Sequence, residues 1–386
     1  MPKLKNILVV GAGIAGPAVC YWLKKYGFSP TLIELHSGLR SGGYAIDIRG
    51  IAVDVVKEMG IYDKIYTQRT QIHSTRYIDA DGHTVLEEKG EHSGFRQGED
   101  VEIVRGDLGA ILMSSIDDVP CYFSHSVREI THHKDSVDVI FNNGKSASFD
   151  LIIGADGLHS SIRRKVFNPD EFELLNLGSY ISVFSIPNFL NLNHSEVLFE
   201  TNQKLVHVYN ETDSNMARAG FLFRSNKVLK DIRDEQQQKA FLRDTYNNLG
   251  WESDKLLDFI GSSEDFYFDS ITQVKMNAWT KDRVALLGDC GYCASPLSGQ
   301  GTSLALVGAY ILAGELKEAG ADYKLAFDQY NQQLKPYVEA NQSLGAWVSE
   351  TFLISSCVSK EAAEQRNQAV LDIMKTAANA ITLPSY

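Results

Sequence analysis

The sequence predicts an α/β chain: a domain built on a strand–helix–strand unit, a second β-sheet inserted into it, and a helical C-terminus. Three observations predict it. Asn6 to Val10 is an apolar run rich in branched residues, Ala15 to Tyr26 carries apolar positions at helix spacing, and Thr31 to Leu35 is a second strand. From Ser179 to about Lys275 the texture changes to alternating strands broken by one polar helix near Glu235 to Asn247. Beyond Arg283 to Leu287, a buried strand, the chain reads as helix.

Each element has a local reason. Pro17 falls in the first turn of the first helix, where its missing N–H would have no partner anyway. Tyr44 to Ile48 reads as a strand, Gly50 to Met59 and Asp107 to Ile116 as helices, and Cys121 to Phe141 as strands, with a hairpin turn at Asn142-Asn143-Gly144. Leu151 to Gly154 is a buried strand followed at once by Ala155-Asp156-Gly157. In the second sheet the strands are Tyr180 to Ile186, Val197 to Glu200, Lys204 to Tyr209 and Ala217 to Arg224. Thr302 to Ala319 is a helix, and Asp322 to about Cys357 a long one with a kink expected at Leu334 to Pro336. Ser359 then caps a last helix through about Ile381, whose apolar face is Ala363, Val370, Ile373, Met374 and Ala377.

Composition narrows the function classes. At about 150 residues per domain, 386 residues suggest two domains or one with a large insertion. With 37 Lys and Arg against 49 Asp and Glu the net charge is −12, which repels nucleic acid and anionic membrane surfaces. Five cysteines are too few and too scattered for a disulfide framework and point to a reducing, cytoplasmic setting. Met1 to Leu23 imitates a signal peptide, but Gly11, Gly13, Gly16 and Pro17 interrupt its apolar run. The uncharged stretch Cys290 to Gly314 is rich in glycine in its first half, and only Thr302 to Gly314 reads as helix, too short for a membrane span of about 20 residues.

Gly11-Ala12-Gly13-Ile14-Ala15-Gly16 follows a strand and opens a helix, the Rossmann-like setting of a dinucleotide loop. Gly11 allows the tight turn, Gly13 lets a pyrophosphate approach the backbone, and Gly16 packs helix on strand. Glu34 stands where a carboxylate accepts from both ribose hydroxyls, which favours FAD or NAD over NADP and leaves those two open.

Three motifs in order decide between them: the glycine loop with Glu34, then Gly154-Ala155-Asp156-Gly157, then Leu287-Gly288-Asp289 followed by Pro296 and Gly299-Gln300-Gly301. On these the chain resembles the FAD-dependent aromatic monooxygenases, or class A flavoprotein hydroxylases, essentially from end to end. Within that family, Gly42 to Ile48, the single β-rich insertion, the short length and the helical C-terminus look most like the tetracycline destructases, which hydroxylate and so inactivate tetracyclines. The resemblance implies a Rossmann-like FAD-binding domain (1–72, 98–178 and 276–320), an inserted substrate-binding sheet (73–97 and 179–275) and C-terminal helices (321–386) ending in a lid-like one. It implies bound FAD, a transient NADPH or NADH, O2, and a polycyclic phenolic or enolic substrate hydroxylated through a flavin C4a-hydroperoxide, in a cytoplasmic monomer.

By the same resemblance the FAD contacts are Gly11, Gly13, Gly16, Glu34, Arg40, Asp47, Arg105, Val127, Asp156, Gly157, Asp289, Pro296, Gly301 and Thr302. Asp289 would meet the ribityl chain, and Asp156-Gly157 would serve FAD and NAD(P)H. The substrate would touch Phe199, Lys204, His207, Arg218 and Phe221 from the inserted sheet, and Pro296 and Gly299 from the turn. No catalytic side chain and no metal site is expected, because the flavin carries the chemistry. Gly288-Asp289-Cys290-Gly291-Tyr292 departs from the family's usual Gly-Asp-Ala-Ala-His and removes its histidine. His125, His132, His133 and His159 are read as surface or packing residues, and the four tryptophans never form the Trp-x-Trp of flavin halogenases. Three rival readings stand: a flavin-linked thiol–disulfide oxidoreductase using Cys290 and Cys293, a class A hydroxylase of another aromatic, and a flavoprotein that only sequesters its ligand.

Overall fold

The computed structural model describes residues 4–39, 43–90, 95–211, 214–227, 234–351 and 360–386. Arg40, Gly42 and the cap residue Ser359 lie outside them. The first strand, β1 (Asn6–Val10), is buried from Ile7 onward, as a strand covered on both faces must be, and α1 (Ala15–Lys25) carries it to β2 (Ser29–Ile33). Pro17 is the third residue of α1, within the first turn as expected. Strand β2 stops one residue short of Glu34.

Next come β3 (Ala45–Ile48), α2 (Ile51–Glu58), α3 (Tyr62–Thr67), β4 (Ser74–Ile78), β5 (Thr84–Lys89), β6 (Val101–Val104) and α4 (Arg105–Ser114). Helix α4 begins at Arg105, two residues before the expected start, so Arg105 is its first residue. The chain continues through β7 (Cys121–Tyr122), β8 (Val127–His132), β9 (Val137–Phe141), β10 (Ser146–Phe149), β11 (Leu151–Gly154) and α5 (Ser161–Val166). Strands β12 (Phe172–Pro187), β13 (Ser195–Thr201), β14 (Lys204–Asn210) and β15 (Met216–Arg224) lead to α6 (Glu235–Tyr246), a short α7 (Ser253–Asp258) not expected from the sequence, and β16 (Tyr267–Met276). Last come β17 (Thr280–Lys281), β18 (Val284–Leu286), α8 (Asp289–Tyr292), α9 (Gly301–Ala319), α10 (Tyr323–Thr351) and α11 (Lys360–Ala378).

The fold is α/β. One sheet runs β17-β18-β11-β1-β2-β7, parallel except for the β17–β18 hairpin, and brings the loops after β1, β11 and β18 to the same ends of neighbouring strands. A second sheet runs β16-β12-β15-β14-β13-β4-β5, so β4 and β5 from early in the chain complete the later insertion. A small sheet β10-β9-β8 and the pair β3–β6 complete the strands.

Two large apolar cores result. One fills the space around the parallel sheet, and helix α9, uncharged from Gly301 to Gly314, is its centre, buried from Thr302 to Leu316. That burial explains the uncharged stretch: among the described residues no helix is long and apolar enough to cross a membrane. The other core lies between the second sheet and α6 and α7, stacked with Tyr180, Phe184, Phe199, Phe221, Phe223 and Tyr246. Helix α10 runs through Pro336, which sits on its exposed face, where a helix tolerates the lost hydrogen bond best.

Candidate active site

Three glycine-bearing turns converge at the carboxyl ends of β1, β11 and β18. Gly11 has φ +109° and donates its N–H to the Ile33 carbonyl at 2.8 Å; a Cβ there would lie 2.5 Å from the Ala155 carbonyl oxygen. Gly11 is therefore required by the close approach of the Ala155 turn as well as by its own turn. A Cβ at Gly16 would overlap the Gly11 carbonyl oxygen. Gly13 is different: a Cβ there would meet only the Arg105 guanidinium, at 3.5 Å. The space beside Gly13 is therefore open and faces a cation at the N-terminus of α1, a place suited to a pyrophosphate.

Glu34 is fixed toward this loop, accepting from the Ala12 N–H at 2.8 Å and the His36 N–H at 2.9 Å. The His125 N–H donates to the Glu34 carbonyl, which sets Val127, buried at the start of β8, close by in the chain. Among the described residues no hydrogen bond or ion pair engages the Arg105 guanidinium, although its charge acts on Tyr44 and on Asp289. Asp289 is open to solvent, yet enough protein surrounds it that burial raises its carboxyl above the ordinary value, with Cys293 and Arg105 pulling the other way. A narrow cleft open at one side explains both facts. Gly301 opens α9 with its Cα facing Asp289, where a Cβ would lie 3.9 Å from Oδ1, and Thr302 is buried behind it. Among the described residues no side chain caps α9, so its first-turn N–H groups are available at the cleft.

Other expected cofactor contacts have local partners. Asp156 accepts from the Ser160 hydroxyl at 2.5 Å and from the N–H groups of Ser161 and Ile162 at 2.6 and 3.1 Å, so its carboxylate caps α5. Gly157 has φ +77° with open space beside it. Asp47 is paired with Arg49 at 3.0 Å and stands opposite Glu102 on the β3–β6 ladder. Burial, then Asp47, push the Glu102 carboxyl up to about 7, against the pull of Arg96 at 3.1 Å.

The substrate-side expectations need correction by strand phase. Phe199 and Phe221 are buried in the core shared with α6 and α7, and Phe199 packs against Trp251. Lys204 donates to the Thr245 carbonyl at 2.5 Å and lies over the Tyr246 ring, on that same helix-covered face. Side chains alternate along a strand, so these three cannot reach a cleft on the opposite face. His207 and Arg218 do lie on the opposite face: His207 Nε2 is 2.6 Å from Glu196 Oε2, and Arg218 pairs with Glu211 at 3.0 Å and Asp265 at 3.1 Å. This face is roofed at one end by α10 and α11, through Arg224 to the Ser349 carbonyl and Arg366 to Glu200. At the other end Tyr209 reaches the backbone of Ala45 in β3.

Between the roofed ends one row of register partners crosses five strands: Leu198, His207, Gly220, Val183 and Tyr267. Four strand spacings make this floor roughly 19 Å wide. The row ends where Tyr267 meets Tyr44, ring centroids 5.6 Å apart. The sequence reading did not single out Leu198, Gly220, Val183, Tyr267 and Tyr44; the apolar phase Val197/Phe199, Val206/Val208 and Ala217/Ala219/Phe221 was the signal that the other phase lies on the opposite face of the sheet. In the turn after α8, Pro296 is exposed and Gly299 (φ +61°) lies against Met374 of α11, where a Cβ would be 3.2 Å from Cε.

Cys290 and Cys293 do not form a reactive pair. Both are buried with separate partners, Cys290 donating to the Ser160 hydroxyl at 3.0 Å and Cys293 to the Thr272 carbonyl at 3.5 Å. Burial, with Asp156 or Asp289 nearby, raises both thiols well above the ordinary value, the reverse of what a nucleophilic thiolate needs. Cys290→Ser with Cys293→Ser should therefore keep substrate-dependent oxygen consumption within roughly tenfold of the parent. Loss of turnover with flavin retained would restore the thiol reading.

The profile of the FAD binding domain family matches residues 5–343, and the chain belongs to that family. Its residues fit the group: an open place at Gly13, an unengaged Arg105, a fixed Glu34 and uncapped helix N-termini face one cleft. The protein is an FAD-dependent monooxygenase. It is 60% identical over 386 residues to a flavin-dependent monooxygenase of an unknown prokaryotic organism, covering all of both chains, and 55% identical to one from Legionella longbeachae, covering 100% of this chain and 99% of that one. The fold matches tetracycline destructase Tet(55) with a TM-score of 0.95 at 58% identity over 100% of both chains, and Tet(51) with 0.90 at 53% over 99% of this chain and 100% of that one.

Proposed function

We propose that this monooxygenase hydroxylates tetracyclines and so inactivates them, taking electrons from NADPH or NADH. Likeness along the whole chain to Tet(55) and Tet(51) carries the reading. The broad floor of small and apolar residues ending at the Tyr44–Tyr267 pair supports it, because fused rings need a flat seat. Gly11 to Gly16, Glu34, Arg105, Val127 and the Asp156-Gly157 turn would hold the adenosine and pyrophosphate, and Asp289, Pro296, Gly301 and Thr302 the ribityl and ring end. Bound there, the flavin supplies the activation of O2 and the transfer of one oxygen atom. The chain's own work is to seat the substrate on the sheet, bring the α9 N-terminus and Arg105 to bear on negative charge, and keep bulk water out. We place the enzyme in the cytoplasm, in keeping with the four free cysteines among the described residues, and take it to be a monomer.

Incubation with NADPH, O2 and a panel of tetracyclines should yield products heavier by one oxygen, read by mass spectrometry. Stoichiometric NADPH consumption without any heavier product would overturn the reading.

A further inference from the structure

We propose that His207 is a general base that takes the proton from an acidic hydroxyl of the substrate, with Glu196 and Thr75 as its backing. The inference rests on the proposed phenolic or enolic substrate but not on that substrate being a tetracycline. His207 is the imidazole in a row otherwise made of Leu198, Gly220, Val183 and Tyr267, whose phenol burial holds well above its ordinary value and so keeps neutral. Its side chain is 30% exposed, so it reaches the cleft, while that of Glu196 is 10% exposed and sits behind it.

The orientation is specified. A carboxylate 2.6 Å from Nε2 makes that nitrogen the donor, which leaves the lone pair on Nδ1. The other oxygen of Glu196 accepts from the Thr75 hydroxyl at 2.5 Å, so the carboxylate cannot turn away. Burial opposes the ionisation of Glu196, yet His207, Thr75 and Arg96 hold its carboxyl below the ordinary value, so it is an anion ready to stabilise an imidazolium. The ring is further fixed by stacking on Tyr209, centroids 4.7 Å apart. Nδ1 makes no hydrogen bond among the described residues. It looks over Gly220, where a Cβ would be 4.0 Å away, and the missing side chain there leaves room for a ligand atom beside the lone pair.

An electron-rich ring accepts an electrophilic oxygen faster as its oxyanion than as its neutral hydroxyl. In the proposed step the substrate O–H bond breaks, an Nδ1–H bond forms, and the positive ring is held against Glu196; no electron changes hands, and the proton leaves to water after product departs. The charged and titratable groups around the pair are Tyr209 on its own strand, Arg218 with Glu211 and Asp265, Arg96 and Glu102 from the β6 side, and Glu200 with Arg366 from α11. Each of these groups is engaged with a neighbour, whereas His207 is held at Nε2 and keeps Nδ1 toward the cleft.

The test uses the FAD-loaded protein and 4-nitrophenol, whose anion is read by difference absorbance against holoprotein. The parent should bind it as the anion at pH values where the free phenol is neutral, and His207→Gln should lose that ionisation at least tenfold while keeping its FAD. Glu196→Gln removes the negative charge that would face the protonated ring, so it should give a weaker yield of bound anion while keeping FAD. Gly220→Val keeps the His207–Glu196 pair but fills the space beside Nδ1, so it should lose bound anion too. In product assays His207→Gln should be most impaired at low pH and recover as pH rises and the substrate ionises unaided. Bound-anion yield unchanged in His207→Gln would overturn the proposal whatever the tetracyclines do. His207-dependent ionisation without tetracycline oxygenation would leave the base standing and remove only the substrate reading.

Discussion

Gly13→Val is expected to fold like the parent and to purify colourless. The two halves of that expectation come from one comparison within the glycine loop. At Gly11 a Cβ would lie 2.5 Å from the Ala155 carbonyl oxygen, and at Gly16 it would overlap the Gly11 carbonyl oxygen. In both the atom met is backbone, so neither neighbour can turn aside, and Gly16→Ala should cost the fold itself. At Gly13 the single neighbour is the far end of the Arg105 side chain, at 3.5 Å. The valine methyls therefore find space, and it is the space the pyrophosphate needs. Thermal melting followed by circular dichroism should show a transition like that of the flavin-free parent, with FAD content reduced at least a hundredfold, about 2.7 kcal/mol of binding. A yellow Gly13→Val protein with one FAD per chain would place the cofactor elsewhere.

That experiment separates two kinds of information in the sequence. The glycine loop, its strand and Glu34 were legible because each is fixed by its immediate neighbours, and the structure returns them with shifts of one or two residues at element ends. Residues of the second sheet were less legible for a physical reason. Phe199, Lys204 and Phe221 have the chemistry of a ligand site, but a one-residue difference in phase puts a strand residue on the other face. Phase is visible only when neighbouring strands are compared: Val206 and Val208 share a core with Ala217, Ala219 and Phe221, which leaves His207, Arg218 and Gly220 to the cleft. Gly220 carries no side-chain chemistry and Leu198 no unusual one, so nothing in their own identity marks them. Asp156 shows the converse, a motif residue whose carboxylate closes the N-terminus of α5, a use that depends on Ser160 to Ile162 folding back onto it.

Releasing the terminal helix should uncouple the enzyme without costing it the flavin. Deleting the segment from Ser359 onward would be a poor way to show it, because α11 buries Val370, Met374 and Ala377, and the tail beyond it seats Tyr386 against Gly314 with its hydroxyl on Glu315 at 2.7 Å. A narrower cut is available. Arg366 holds both oxygens of Glu200 at 2.8 and 3.0 Å, beside Asn367, which donates to the Tyr77 hydroxyl and to Glu88, both at 3.1 Å. These bonds pin α11 to the second sheet, Ala363 rests on Tyr77 and Leu86 with Leu198 of the floor packed alongside, and Met374 reaches the Gly299 turn. Removing one partner of a buried pair costs about 3–5 kcal/mol, enough to undock a single terminal helix while the two cores, which do not depend on the pair, stay folded. The helix reaches the Gly299 turn through Met374 and packs against the floor through Ala363, so its release would expose that side to water. Arg366→Ala should therefore keep its FAD and its melting transition, gain protease sensitivity confined to the C-terminal segment, raise KM at least tenfold, and, with NADPH as the proposed donor, pass most of its electrons to O2 as hydrogen peroxide instead of into oxygenated product. Replacing both partners, Glu200→Leu with Arg366→Leu, leaves no unpaired charge and keeps an apolar contact, so it should restore most of the coupling. Full coupling in Arg366→Ala would show that α11 is held by its apolar face alone and that the pair contributes nothing to closing the site.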